Sequence, residues 1–212
     1  MKALIIGATG ATGKDLVNIL LQDPGYTAVV IFVRRPTGLS HPKLNEVLTD
    51  FDHPENVALQ ISGDVLFCCL GTTLKAAGSK DKQRHIDYEI PLQFAALAKT
   101  NGVRSMVLLS AYGASSSSNI FYSMIKGRLE EGTEALNFEQ LIIFRPGLLI
   151  RKNTDRLGER LSAAVLQFLN SLGLARKFKP LPTFLLAEKL AKAPKTIHAA
   201  KKVIELAGIF TL

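Results

Sequence analysis

Apolar residues along this chain fall into two alternating patterns. Short continuous runs at residues 3–6, 28–33, 65–70, 105–109 and 140–144 read as strands buried on both faces, and a shorter one is expected at 46–49. Between them, apolar positions recur at helical spacing. Leu16, Val17, Leu20 and Leu21 form one stripe, Ile86, Ile90, Phe94 and Leu97 a second within residues 80–100, and Ile125, Leu129 and Leu136 a third within 119–136. A short helix is expected near 55–60. Pro146-Gly147 stops the sixth strand. Strand–helix alternation of this kind predicts an α/β fold, a Rossmann-type doubly wound parallel sheet covered on both faces.

Beyond residue 150 the alternation weakens. The pattern predicts a partly helical stretch over 157–174, a proline-containing segment at 179–182, a helix over 185–193 and another after Pro194. The chain therefore reads as a single NAD(P)-binding domain over 1–212, with 151–212 contributing a small substrate-side region. The serine run 115–118 reads as a loop with a helix N-cap at its end.

Between the first strand and first helix stands Gly7-Ala8-Thr9-Gly10-Ala11-Thr12-Gly13. Strand, glycine turn and helix in that order build a phosphate site. Gly7 permits the tight turn, Gly10 leaves room for a pyrophosphate against bare backbone, and Gly13 lets the helix pack close to the sheet. The anion is expected on free amides at the positive end of the helix, with Thr9, Ala11 and Thr12 beside it.

A site selective for NAD usually carries Asp or Glu at the end of the second strand. Here Arg34 and Arg35 occupy that position, and paired guanidiniums suit a ribose 2′-phosphate. NADP(H) is expected in preference to NAD(H), with Asp50 and Phe51 against the adenine.

Tyr122 and Lys126 are four residues apart on a predicted helix, so their side chains lie side by side. A neighbouring ammonium favours phenolate over phenol, which lets a tyrosine exchange a proton with a substrate oxygen. Ser110, at the end of the fifth strand, is placed to hold that oxygen.

These residues carry a family resemblance. Gly7-x-x-Gly10-x-x-Gly13, Ser110, Tyr122-x-x-x-Lys126 and Arg145-Pro146-Gly147 resemble an extended or atypical short-chain dehydrogenase/reductase. Residues 68–73, 108–110, Gly113-Ala114, Ser118-Asn119, Lys126-Gly127, Glu130 and 144–147 resemble, more closely, the Tat-interacting oxidoreductase family, an NmrA-like group. The resemblance implies a Rossmann fold, bound NADP(H) and Ser–Tyr–Lys chemistry on a carbonyl or alcohol. It also implies that Leu70, Gly71 and Thr72 line the cofactor and that Pro146 and Gly147 run past the nicotinamide. Asp87 falls where epimerase-like members often carry asparagine. Two departures stand out: Ala111 occupies the second place where many relatives carry paired serines, and the chain is short for this class. Some members bind NADP(H) as a redox signal and regulate protein partners, which is the alternative expectation.

Composition narrows the remaining classes. Of the net charge of +8, residues 171–212 carry six, with eight Lys or Arg against two Glu. These cations are spread along a helical segment without interleaved aromatics, so a solvated face is expected rather than nucleic-acid binding. No apolar run approaches the roughly 20 residues of a membrane span. Cys68 and Cys69 point to opposite faces of one strand, which disfavours a disulfide. His41, His53, His85 and His198 show no metal spacing, and His85 alone is expected near the cleft. A cytoplasmic monomer or homodimer acting on a small-molecule substrate is expected.

Overall fold

The computed structural model describes residues 1–150 and 179–212. Five strands form as their apolar runs predict: β1 (Lys2–Ile6), β2 (Ala28–Val33), β4 (Val65–Cys68), β5 (Ser105–Leu109) and β6 (Gln140–Arg145). With β3 (Leu44–Leu48) they build a parallel sheet ordered β3-β2-β1-β4-β5-β6. Register runs Ile5 to Ile31 on one side of β1 and Ile5 to Phe67 on the other.

Alternation along the strands divides the core into two layers. Ala3, Ile5, Val29, Ile31 and Phe67 pack under α1 (Ala11–Gln22). Leu4, Ile6, Val30, Phe32 and Leu66 face the opposite side, against Phe94 and Leu129. Phe94 belongs to α4 (Ile90–Thr100) and Leu129 to α5 (Phe121–Ala135). Cys68 and Cys69 fall in opposite layers and are both free thiols.

The predicted helix over 80–100 is broken. After the short α2 (Leu74–Ala77), α3 (Lys80–Arg84) runs into a wider π turn, His85–Glu89, before α4 resumes. Pro91 supplies the physical reason. It cannot donate to the carbonyl of Asp87 four residues back, and its ring crowds that carbonyl. The segment expected as a helix near 55–60 is a 3₁₀ stretch, Pro54–Gln60. The serine run does not provide the N-cap: Ile120 holds that position, while Ser118 Oγ accepts from the Ile120 amide at 3.1 Å.

The C-terminal part differs most from expectation. Helix α6 (Thr183–Thr196) continues through Pro194, and the chain then forms a strand, β9 (Lys201–Glu205), instead of a second helix. This strand pairs parallel to β6, with Leu141 opposite Lys201 and Ile143 opposite Val203, as the seventh strand of the sheet. Helix α6 covers the sheet beside α1, and the buried Tyr26 hydroxyl donates to Ala191 O at 2.7 Å. Residues 183–205 thus belong largely to the Rossmann core. Between β6 and α6, β7 (Leu149–Ile150) pairs with β8 (Leu181–Pro182). The predicted helical stretch 157–174 lies outside the described residues.

Candidate functional site

In this sheet the chain moves outward from β1 in both directions, first to β2 and later to β4. The C-terminal ends of β1 and β4 therefore flank a topological switch point, the usual ligand crevice of an open parallel sheet. Three contiguous cavities, of about 650, 770 and 300 Å³, line these strand ends.

The glycine turn forms their common floor. Gly7 has φ +81°, and a Cβ there would sit 2.5 Å from the Cys69 carbonyl carbon, so the turn requires glycine twice over. A Cβ on Gly13 would fall on the Gly7 carbonyl oxygen and 2.9 Å from its carbon, so this glycine permits the close approach of α1 to the turn. Gly13 lines none of these three cavities. Helix α1 begins with Gly10 at its N-cap and receives no side-chain cap, leaving its first-turn amides open to an anion. Gly10, Ala11 and Thr12 line the 300 Å³ cavity. This cradle fits a dinucleotide pyrophosphate.

The 650 Å³ cavity is bounded by Gly7, Thr9, Arg34, Asp50, Phe51 and Leu70, with His85 at its edge. Phe51 is anchored against Phe94 at a centroid distance of 5.4 Å. Asp50 Oδ1 accepts from the Asp52 amide at 3.0 Å, so this carboxylate shapes its own turn. His85 bridges Asp52, at 2.7 Å from Nε2, and Glu89, at 2.9 Å from Nδ1. Hydrogen bonds to Glu89 first and Asp52 second raise its pKa above 6.5.

The 770 Å³ cavity gathers Thr9, Arg34 and Arg35 with Lys14 and Asn18. Neither Lys14 nor Asn18 stands out in sequence; their signal is that they lie four residues apart on α1. Thr37, which also lines this cavity, donates to Glu46 of β3 from its amide at 2.8 Å and from its hydroxyl at 2.7 Å. Glu46 thus pins the loop that carries the arginines.

The third cavity brings Ser110, Tyr122 and Lys126 together with Gly71, Thr72 and the start of α1. Tyr122 is exposed, whereas Lys126 is buried with its ammonium 6.0 Å from the Tyr122 ring centroid. Two partners were not anticipated. Lys126 Nζ lies 3.8 Å from Asp87 Oδ1, both buried. The Ser110 hydroxyl donates to Glu130 in a short bond, and Glu130 is held in turn by Arg145 Nε at 3.0 Å. Sequence carried a signal for the latter: Tyr122, Lys126 and Glu130 form one stripe at four-residue spacing. Pro146 and Gly147 line none of the three cavities; Pro146 O accepts from the Tyr112 amide at 2.9 Å, and Gly147 packs toward Leu206.

Strand order and an open glycine turn at the switch point define the class, an NAD(P)-binding Rossmann domain. Comparison with known proteins specifies it further. Residues 7–141 match a family described as NAD(P)H-binding. The chain is 37% identical over 163 residues to HTATIP2 of Rattus norvegicus, covering 74% of this chain and 67% of that protein. It is 34% identical over 179 residues to the mitochondrial protein FMP52-1 of Scheffersomyces stipitis, covering 82% and 79% respectively. A short-chain dehydrogenase/reductase superfamily protein from Agrobacterium tumefaciens with bound NAD superposes with a TM-score of 0.75 at 16% identity, over 97% of this chain and 77% of that one. The chain belongs to the NAD(P)H-binding family that includes HTATIP2 and FMP52.

These relatives correct one expectation. FMP52 proteins from S. stipitis and Saccharomyces cerevisiae are named mitochondrial, so the cytoplasmic assignment does not stand. Among the described residues no helix is long and apolar enough to cross a membrane.

Proposed function

We propose that this protein is an NADP(H)-dependent oxidoreductase that interconverts a small carbonyl compound and its alcohol. The observation that carries the proposal is the shared wall of the 300 Å³ cavity, where Ser110, Tyr122 and Lys126 meet the phosphate turn. The nicotinamide supplies or accepts the hydride. Tyr122, exposed at this wall, gives its proton to the substrate oxygen or takes one from it. Lys126, with its ammonium 6.0 Å from the Tyr122 ring centroid, is placed to donate to the cofactor ribose. Ser110 contacts the same substrate oxygen.

Lys14, Arg34 and Arg35 around the 770 Å³ cavity support NADP(H) over NAD(H), because three cations line the space where a 2′-phosphate would sit and no carboxylate lines it with them. A second reading, an NADP(H) sensor that regulates a protein partner without turnover, is favoured by the Ser110 hydroxyl, whose proton is committed to Glu130.

Tyr122→Phe separates the readings. It keeps the ring and removes the transferable proton, so folding and NADPH binding survive. With a substrate found by following NADPH absorbance across carbonyl compounds, turnover falls by at least about 10²-fold. Unchanged turnover of that substrate refutes the catalytic reading, and a chain that binds NADPH but reduces nothing supports the sensor.

A further inference from the structure

Two segments far apart in sequence wall the 650 Å³ cavity on its side away from the glycine turn. One is the turn after β3, where Asp50 Oδ1 accepts from the Asp52 amide at 3.0 Å and Phe51 packs on Phe94. The other supplies His85, Ile86 and Ile90. His85 crosses from the second segment to the first, with Nε2 2.7 Å from Asp52 Oδ1 and Nδ1 2.9 Å from Glu89 Oε2. The two carboxylates are held differently. Glu89 also accepts from Arg84 Nε at 3.2 Å, and Arg84 Nη2 lies 3.2 Å from Asp81, so Glu89 is a fixed anchor within its own segment. The Asp52 side chain is 71% exposed, so its turn is what the bridge holds in place.

We propose that His85 is a positioning residue of the cofactor cleft: its bridge to Asp52 and Glu89 holds the Asp50–Asp52 turn against the adenosine end of the cofactor and so strengthens binding. This rests on the reading of the 650 Å³ cavity as that end. The cavity adjoins the phosphate turn through Gly7 and Thr9, and Phe51, Ile86 and Ile90 give it the apolar surface that the faces of an adenine ring require. A ligand that must order part of its own site binds less tightly, and a turn fixed in advance removes that cost. The bridge needs two N–H donors on one ring, and only the imidazolium has both. Once His85 loses a proton, one ring nitrogen becomes an acceptor facing a carboxylate, and that contact is lost.

The surrounding charges leave this coupling intact. Hydrogen bonds to Glu89 first and Asp52 second hold the His85 pKa above 6.5 against the opposing effect of burial. Asp50 is turned to the Asp52 amide, His53 lies 3.1 Å from Glu55, and Arg84 is engaged by Glu89 and Asp81. Arg34 lines the same cavity from the end of β2. Binding that favours the closed wall favours the imidazolium. The contribution of the bridge is therefore complete below the His85 pKa of the free protein, and it is lost as pH rises through the higher pKa of the complex.

The test is calorimetric titration of the full-length protein with NADP⁺, which needs no substrate. Each variant is compared with the parent at the same pH, so ionisation of the ligand cancels. His85 and Asp52 side chains are 36% and 71% exposed, so substitutions there leave the fold intact. His85→Gln, which carries no charge, should bind about threefold more weakly than the parent near about pH 6, the scale of a largely exposed ion pair, and equally near about pH 9. His85→Arg, charged throughout, should keep the parent's low-pH affinity at the higher pH. Asp52→Ala separates positioning from simple attraction. Removing a negative charge beside an anionic ligand would tighten binding if charge alone mattered, whereas loss of the bridge should weaken it about threefold near about pH 6. A His85→Gln deficit that is absent, or equal at both pH values, overturns the inference, as does tighter binding by Asp52→Ala. Phe51→Ala tests the underlying reading. Unchanged NADP⁺ affinity in that variant removes the adenosine assignment and the inference with it; weakened affinity there beside unaffected His85→Gln leaves the assignment standing and overturns the bridge alone.

Discussion

Two glycines three residues apart are assigned different tasks by the structure, and alanine substitution should separate them. At Gly13 the added methyl falls on the Gly7 carbonyl oxygen and within 2.9 Å of its carbon and 3.0 Å of Ala8 Cα. All of these are backbone atoms of a turn already fixed by Gly7 at φ +81°, so none can swing aside. Overpacking against backbone that cannot move falls in the upper part of the usual range, about 2–3 kcal/mol, and alanine's better helix propensity returns about 1 kcal/mol at most. A net loss of about 1–2 kcal/mol corresponds to a fall in Tm of about 2–8 °C for a domain of this size. Gly10 is different. Its backbone, φ −71° and ψ 169°, suits any residue, and its methyl would stand 3.3 Å from the Gly7 oxygen. Gly10→Ala should therefore leave stability within about 0.5 kcal/mol of the parent. However, that methyl projects into the cradle where a pyrophosphate would approach, so cofactor affinity should fall at least about tenfold, or about 1.4 kcal/mol. Calorimetric melts without cofactor and titration with NADPH measure both effects. Melts with cofactor give a third reading: at 100 times the parent Kd the parent gains about 2.7 kcal/mol, and Gly10→Ala about half of that. Gly13→Ala as stable as the parent would refute the close approach of helix to turn. Parent affinity in Gly10→Ala would refute the placement of the phosphates.

Two further outcomes are expected. Arg34→Asp should reduce NADPH affinity by about tenfold or more, since charge-assisted hydrogen bonds contribute about 1.5–3 kcal/mol each, while NADH affinity changes little; equal affinity of the unmodified protein for both cofactors in calorimetric titration would sink the assignment. His85 has a folded-state pKa raised above 6.5 by Glu89 and Asp52, so its stabilisation is complete below that value and is lost as pH rises through the higher folded-state pKa. Denaturant melts of His85→Gln should therefore fall furthest below the parent near about pH 6 and approach it near about pH 9, and a gap constant with pH would contradict the bridge.

How far the fold was legible depends on where local and tertiary forces agree. Strands such as residues 28–33 and 105–109 are apolar on both faces, so burial alone identifies them, and the structure places them as expected. Residues 201–205 read Lys-Lys-Val-Ile-Glu, and the two lysines obscured a strand. That segment lies at the sheet edge, where Lys201 and Lys202 stay exposed and Val203 and Ile204 face inward, so only pairing with β6 identifies it. Pro194 misled in the opposite direction. It stands in the last turn of α6, where one missing amide costs the helix little. The π turn was signalled by Pro91, but a helical stripe through Ile86, Ile90 and Phe94 masks a local widening that changes the register by a single residue.

The candidate site shows the complementary limit. Its backbone component was legible because glycine spacing reports a steric demand directly: Gly7 and Gly13 are small where the structure leaves no room. Tyr122 and Lys126 were legible because four-residue spacing on a helix fixes their proximity. What spacing cannot express is the charge that reaches a group from another element. Asp87 comes to Lys126 from a different helix, 39 residues earlier in the chain, and Arg145 comes to Glu130 from the end of β6. These contacts alter what the recognised residues do. They convert Lys126 from an isolated ammonium into half of a buried pair, and they turn the Ser110 proton toward Glu130. Under the proposed oxidoreductase function, a serine held this way would be set to accept a hydrogen bond, and the alcohol form of a substrate would suit the resting site better than the carbonyl form. Reduction would then require Ser110 to rotate away from Glu130 as the carbonyl enters, leaving the carboxylate to Arg145, whose guanidinium already bonds both of its oxygens.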